Sequence, residues 1–163
     1  MLSGETAMGD FPIEAVRTMA RIIENTEEFG AERIAPLGSS PHTRGGAITR
    51  AAAEIGETLD VKYLVTFTQS GDSARRMSRL RSAIPLLAFT PVATVRNMLS
   101  LSWGVQSYEV PSVADTDAMV TQVDQTLRAN GLAEIGDYVV IVSGAPVGIP
   151  GTTNSILVHK VGE

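Results

Sequence analysis

Short apolar runs rich in β-branched residues alternate with segments of helical periodicity along most of the chain. The runs predict β-strands at residues 61–67, 84–89, 104–110, 138–142 and 154–161. The other segments predict helices at residues 43–59, at 73–80, from Pro91 onward, and from Asp115 to Gly131. This alternation is typical of an α/β fold in which a mostly parallel sheet carries helices on both faces.

The last two predicted strands depart from this alternation. Residues 143–153 between them are rich in glycine and proline and leave no room for a helical crossover. We therefore expect the final strand to pair antiparallel with the strand before it. The predicted fold is a three-layer sandwich around a five-stranded, mostly parallel sheet whose last strand is antiparallel.

A separate amphipathic helix precedes this pattern. Asp10 offers an N-cap, Pro12 and Glu14 suit a first turn, and the apolar residues 16, 19, 20 and 23 fall on one stripe. We expect this helix to end before Gly30. Residues 35–46 are dense in proline, glycine and serine, which predicts a linker between two modules.

The segment at residues 63–75 indicates a binding site. Its apolar run stops at hydroxyl residues and a glycine, and a helical pattern with several arginines follows. In an open α/β sheet, ligands bind outside the carboxyl ends of the strands. The first N–H groups of a helix favour anions, and the hydroxyls of Thr68, Ser70 and Ser73 can add donors. The candidate ligand is therefore a phosphate.

Composition narrows the classes of function. The 163 residues carry a net charge of −5 without a basic tract, which argues against a nucleic-acid partner. The chain has no cysteine, which fits a cytoplasmic location, and its only histidines are His42 and His159, so we expect no metal site. No apolar stretch is long enough to cross a membrane, and we expect no membrane partner.

Motifs in a fixed order resemble the enzyme family of pyruvate kinases. Residues 1–7, with the glycine, aspartate, proline and glutamate that follow within residues 9–16, resemble the end of the family's catalytic barrel. Residues 68–74, 103–105 and 143–154 resemble motifs of its C-terminal domain. The resemblance covers essentially the whole chain.

Three parts of the chain follow from this resemblance. Residues 1–30 would be the remnant of the last barrel strand end and its helix, residues 31–46 a linker, and residues 47–163 the C-terminal α/β domain. The chain would be a C-terminal fragment, whether by truncation or by an internal start. Its parent would transfer a phosphoryl group from phosphoenolpyruvate to ADP in glycolysis, giving pyruvate and ATP.

The same resemblance implies that this chain alone lacks the active site. Most of the barrel, the lid domain and the residues that hold Mg²⁺ and K⁺ would lie upstream of Met1. Ser3 and Glu5 would be the remnants of the active-site face, and a barrel enzyme needs residues from several strand ends. We therefore expect no catalytic residue, no metal and no cofactor in this chain.

A regulatory site is also implied by the resemblance. In many pyruvate kinases the loop that matches residues 68–73 (Thr68, Gln69, Ser70, Gly71, Asp72 and Ser73) holds the phosphate of an allosteric effector, a sugar phosphate or AMP. Alternatively, these residues only cap the following helix. The carboxylate of Asp72 repels a phosphate, unless arginines at 75, 76 or 79 turn toward the loop and offset it.

Two further segments are candidates for the same pocket. Trp103 is either a wall of the effector pocket or an aromatic residue of the core or an interface. Residues 144–153 resemble the loop that closes over the effector, with Gly148, Gly151 and Thr152 as its contacts, or else form a plain hairpin connection. The loop has no Lys or Arg, which weakens it as a phosphate clamp.

Three functions stay open at this point. The first is the regulatory part of a pyruvate kinase, which forms a homo-oligomer through its C-terminal domain, a tetramer in the parent. The second is a free-standing module that binds a phosphorylated metabolite, although such a module has no reason to retain residues 1–7. The third, favoured by Asp72, is a purely structural dimerisation domain with an empty crevice.

Overall fold

The computed structural model describes residues 1–30 and 42–163. It forms two compact units, residues 1–38 and 39–163. Most of the predicted linker, residues 31–41, lies outside the described residues. Helix formation already begins at Arg44, so the last residues of the predicted linker belong to a helix.

The first unit contains two helices, α1 (Gly4–Ala7) and α2 (Pro12–Gly30). Sequence periodicity did not predict α1, because four residues are too few to show a helical repeat. In α1, the Glu5 carboxylate accepts a hydrogen bond from the Ser3 N–H. The predicted amphipathic helix is present as α2, but it includes Gly30 and does not end before it. Its apolar side chains Ile13, Val16 and Ile23 are about half exposed.

The second unit is built on one five-stranded sheet. Its strands are β1 (Tyr63–Phe67), β2 (Leu86–Thr90), β3 (Val105–Glu109), β4 (Tyr138–Gly144) and β5 (Thr153–Lys160). They lie in the order β3-β2-β1-β4-β5, with parallel pairing everywhere except between β4 and β5. The predicted sheet, including its antiparallel last strand, is confirmed.

Helices cover both faces of this sheet. One face carries α3 (Arg44–Leu59), α4 (Asp72–Ser78) and α5 (Ala93–Leu99), and the opposite face carries α6 (Thr116–Ala129). Successive strand residues point to opposite faces, so Leu64 packs against α3 while Val65 packs against α6. This arrangement is the predicted three-layer sandwich.

Small residues bring α3 close to the sheet, as its alanine-rich sequence indicates. Ala52 is fully buried against the sheet. A Cβ added at Gly56 would lie 2.7 Å from Leu64 Cδ2 and 3.1 Å from Ile84 Cδ1. A larger residue at position 56 would therefore push the helix away from the strands.

Two element boundaries differ from the sequence prediction. The second strand begins at Leu86 and not at residue 84, because Pro85 has no N–H to donate to the ladder. The following helix begins at Ala93 and not at Pro91, because Val92 keeps an extended backbone. Met98, an apolar residue of that helix, is about half exposed.

A buried histidine joins β5 to α6. His159 Nε2 donates to Asp124 Oδ1 at 2.9 Å, and the Gly162 N–H donates to the same oxygen at 3.0 Å. Burial raises the pKa of Asp124, but these hydrogen bonds and the electrostatic attraction to His159 and Arg128 together lower it more, so that it lies below its ordinary value of 3.8. The chain beyond β5 is thus held to α6 through one carboxylate.

We expect Asp124→Ala to lower the free energy of unfolding by about 1–3 kcal/mol at pH 7, because it leaves His159 and the Gly162 N–H without their acceptor. A carboxyl whose pKa is lowered by folding stabilises the fold above its unfolded pKa and loses that effect as pH falls through the folded value. The difference in the free energy of unfolding between the variant and the parent should therefore become smaller below pH 3.8.

Urea denaturation over a series of pH values measures this difference. Gln125→Ala, at the exposed neighbouring position of α6, is the matched control and should be near neutral. Equal stability of Asp124→Ala and the parent at pH 7 would contradict the role assigned to this carboxylate.

Candidate functional site

A cavity of about 350 Å³ lies at the carboxyl ends of the parallel strands. We call it the strand-end cavity. Its walls come from residues 67–73 after β1, from Phe89 and Pro91 around the end of β2, from residues 110–113 after β3, and from residues 143–153 between β4 and β5. Parallel pairing places these chain segments at one edge of the sheet, which is where the sequence predicts a ligand.

Residues 68–73, which we call the hydroxyl loop, supply the polar wall. Thr68, Gln69, Ser70, Asp72 and Ser73 line the cavity. Gly71 does not line it but is the N-cap of α4, with a φ of 80° that favours glycine. The loop thus brings five of its six predicted residues together at the cavity.

Two hydroxyls of this loop are already engaged. Thr68 Oγ1 accepts a hydrogen bond from the Gly71 N–H at 2.9 Å. The buried Ser73 Oγ lies 2.8 Å from Thr153 Oγ1 and joins α4 to the start of β5. Ser70 is exposed, and its side chain therefore offers the freest hydroxyl of the loop.

Asp72 lies on the rim of the strand-end cavity, and two arginines lie beside it. Arg76 Nε donates to Asp72 Oδ2 at 2.6 Å, so Asp72 binds an arginine of its own helix and caps no N–H group. Arg75 Nη1 donates to the Ser70 carbonyl oxygen at 3.2 Å. No lysine or arginine in the described ranges lines the cavity itself.

The floor of the cavity is aromatic and apolar. Phe67 and Phe89 pack edge to face with ring centroids 5.3 Å apart, and Phe89 packs in the same way on Tyr108 at 5.6 Å. Val110 and Pro111 continue this wall. The cavity therefore offers one polar side and one apolar side to a ligand.

Residues 145–152, the β4–β5 loop, form the remaining wall. Gly148, Gly151 and Thr152 line the cavity, and both glycines have positive φ, at 85° and 79°. Thr152 Oγ1 donates to the Ile149 carbonyl oxygen at 2.7 Å. An internal hydrogen bond thus helps to shape this loop.

Asn154 holds the base of the β4–β5 loop. This role of Asn154 was not predicted from the sequence. Its Oδ1 accepts from the Ala145 N–H at 2.8 Å, and its Nδ2 donates to the Ala145 carbonyl oxygen at 2.7 Å. The side chain thereby replaces a pair of backbone hydrogen bonds. An Asn directly after the glycine-rich segment is the signal that could have indicated it.

The structure places Trp103 away from the strand-end cavity, contrary to the pocket-wall prediction. Trp103 precedes β3 and so lies toward the amino ends of the strands, where it lines a separate cavity of about 210 Å³. Its carbonyl oxygen accepts from Ser78 Oγ, and the Arg81 guanidinium lies 4.4 Å from its ring centroid. These contacts agree with the alternative of a packed structural aromatic.

Three further features of the described part of the chain concern metal-binding groups, available histidines and membrane-spanning helices. No three side chains of His, Asp or Glu there are grouped closely enough to hold a metal ion. His42 is exposed, and His159 is engaged by Asp124. No helix within residues 1–30 and 42–163 is long and apolar enough to cross a membrane.

Comparison with known proteins identifies relatives along the whole chain. Residues 46–159 match the family described as pyruvate kinase, alpha/beta domain. Pyruvate kinases of Mycobacterium tuberculosis and Corynebacterium efficiens are 50% and 46% identical to the chain, covering 100% of it and 34% of each relative. The chain therefore spans about a third of the length of these relatives.

A solved structure agrees with the fold. The crystal structure of a pyruvate kinase from Cryptosporidium parvum superposes with a TM-score of 0.81 at 26% identity. The match covers 99% of this chain and 32% of that one. The similarity therefore extends beyond the α/β unit to the first residues of the chain.

We expect Asn154→Ala to speed hydrogen exchange of the Ala145 amide by roughly fivefold, since the N–H loses its acceptor. Asn154→Asp keeps an oxygen at this position and should retain most of the protection. NMR-detected exchange of the Ala145 amide tests both variants. Equal exchange in the Ala variant and the parent would show that Asn154 does not hold the loop.

Proposed function

The chain belongs to the pyruvate kinase family, and on that premise we propose that it is the regulatory and subunit-pairing part of a pyruvate kinase. The parent enzyme would convert phosphoenolpyruvate and ADP to pyruvate and ATP in the cytoplasm, with Mg²⁺ and K⁺. Phosphoryl transfer needs groups from several barrel strand ends, so the chain alone would be inactive. Its own task is to bind an effector and to join subunits.

The strand-end cavity carries the proposal of effector binding. It places the hydroxyls of residues 68–73 opposite the β4–β5 loop in a space of about 350 Å³, the size of a small-molecule site. Hydroxyl and backbone N–H donors suit phosphate oxygens, while the apolar floor suits the rest of a sugar phosphate or AMP. Such a ligand can regulate the enzyme only by binding one quaternary state more tightly than another.

Subunit pairing is supported by the edge of the sheet. The eight-residue strand β5 pairs with β4 on one side, and no described strand pairs with its other side. An open edge strand offers unpaired N–H and carbonyl groups to a second copy of the chain. We propose that homo-oligomers form through this α/β unit, two units per contact, with the parent enzyme a tetramer.

Two other functions compete with this proposal. A free-standing module for a phosphorylated metabolite would use the same cavity, but the relatives align with residues 1–30 as well as with the α/β unit, which favours a piece of the enzyme. A purely structural dimerisation domain would leave the cavity empty. Asp72, a carboxylate on the rim, favours that alternative, and ligand titration separates the two.

We expect calorimetric titration with glucose 6-phosphate, ribose 5-phosphate, fructose 1,6-bisphosphate and AMP to show saturable binding of one of these ligands. Replacing both Ser70 and Ser73 by Ala removes two hydroxyls of the polar wall and should abolish measurable binding. Ser100→Ala is the matched control, because its hydroxyl bonds the Asn97 carbonyl oxygen outside the cavity. No binding beyond that of inorganic phosphate would favour the structural alternative.

We expect the chain to sediment as a dimer in analytical ultracentrifugation. Val158→Lys places a charge at an exposed position of β5 and should shift the equilibrium toward monomer by like-charge repulsion across the contact. Leu101→Lys, at an exposed position in the turn after α5, is the control. A parent chain that stays monomeric at every concentration would contradict pairing through this unit.

A further inference from the structure

Arg76 lies beside the polar wall of the strand-end cavity, and its guanidinium already has two hydrogen-bond partners. Its Nε donates to Asp72 Oδ2 at 2.6 Å, and its Nη1 donates to Thr43 Oγ1 at 3.1 Å. Thr43 is the N-cap of α3 and also accepts a hydrogen bond from the Gly46 N–H. One guanidinium therefore connects the first turns of α4 and α3.

The guanidinium stands directly behind the cavity wall. A Cβ added at Gly45 would lie 3.7 Å from Thr153 Cβ and 3.8 Å from Arg76 Nε, so both groups border the same point. Thr153 and Asp72 line the cavity, whereas Arg76 does not. A rotation of the Arg76 side chain past Asp72 would bring a positive charge to the rim.

The other arginines beside the cavity differ from Arg76 in their partners. Arg75 binds the Ser70 carbonyl oxygen, and Arg44 donates to the Gly151 carbonyl oxygen at 3.5 Å. Carbonyl groups leave the charge of these two side chains uncompensated. Arg76 is paired with a carboxylate on the cavity rim, so Asp72 compensates the charge of this one arginine.

We propose that Asp72 is an internal competitor for Arg76, and that an anionic ligand of the strand-end cavity binds by taking Arg76 from it. This inference rests on the proposed effector site and names the residues that set its affinity for anions. The pair suits exchange because both side chains are partly exposed, 34% for Arg76 and 51% for Asp72, and exposed ion pairs contribute little to stability. A ligand that takes Arg76 also removes one of the contacts of Thr43, the N-cap of α3.

The charge of Asp72 can oppose an anion in two ways that a double-mutant cycle separates. It can repel the ligand directly, or it can withhold Arg76. Simple repulsion persists when Arg76 is replaced, whereas competition for Arg76 requires that residue. The variants are Asp72→Asn, Arg76→Gln and the two together, with Arg79→Gln at the exposed C-cap of α4 as the control.

Calorimetry of these variants with glucose 6-phosphate and inorganic phosphate tests the proposal. We expect Asp72→Asn to tighten binding by about 3–10-fold and Arg76→Gln to weaken it by about 10-fold, as for the loss of a charge-assisted hydrogen bond. In the Arg76→Gln background, Asp72→Asn should change the affinity by less than about twofold. Arg79→Gln should bind like the parent.

A second measurement follows Arg76 itself. The NMR signal of its side-chain Nε–H, assigned by its loss in Arg76→Gln, should shift when ligand is added to the parent chain. An unchanged Nε–H signal at saturating ligand would overturn the inference. An equal increase in affinity from Asp72→Asn in the parent chain and in Arg76→Gln would also overturn it. Binding that is the same in all variants would overturn this inference alone, whereas no binding by the parent or by Asp72→Asn would overturn the proposed effector site with it.

Discussion

The parallel pairing of β1 with both of its neighbours is the constraint on which the rest of this unit depends. Leu64 of β1 lies in register with Leu86 of β2 and with Val140 of β4. Three strands therefore end at the same edge, and the segments that follow them must meet there. The strand-end cavity is the space that these segments enclose, so its position follows from strand direction.

Backbone and hydroxyl hydrogen bonds shape the cavity walls more than charge does. Thr68 and Asn154 each hold a loop by bonding backbone groups, and Ser73 joins the two sides through Thr153. Arginines stand one layer behind these walls. A ligand would thus meet a surface that internal hydrogen bonds already shape.

The family of this chain is recognised from its whole sequence, whereas the chemistry of the cavity depends on a few of its side chains. The family is recognised from the whole chain, because relatives align from its first residues to its last. The chemistry of a site is set by the side chains at the strand ends. In this chain Asp72 on the cavity rim forms an ion pair with Arg76 behind the wall, and that pair is a property of its own residues.

The sequence by itself determined the order of the elements, the parallel sheet with its antiparallel last strand, and the position of residues 68–73 at the carboxyl end of a strand, because these follow from local periodicity and turn chemistry. Only the tertiary structure decided which distant side chains meet. Ser73 bonds Thr153, His159 bonds Asp124, and Trp103 lies away from the cavity. Such pairs lie tens of residues apart, and their contact depends on how helices pack across strands, which no local pattern encodes.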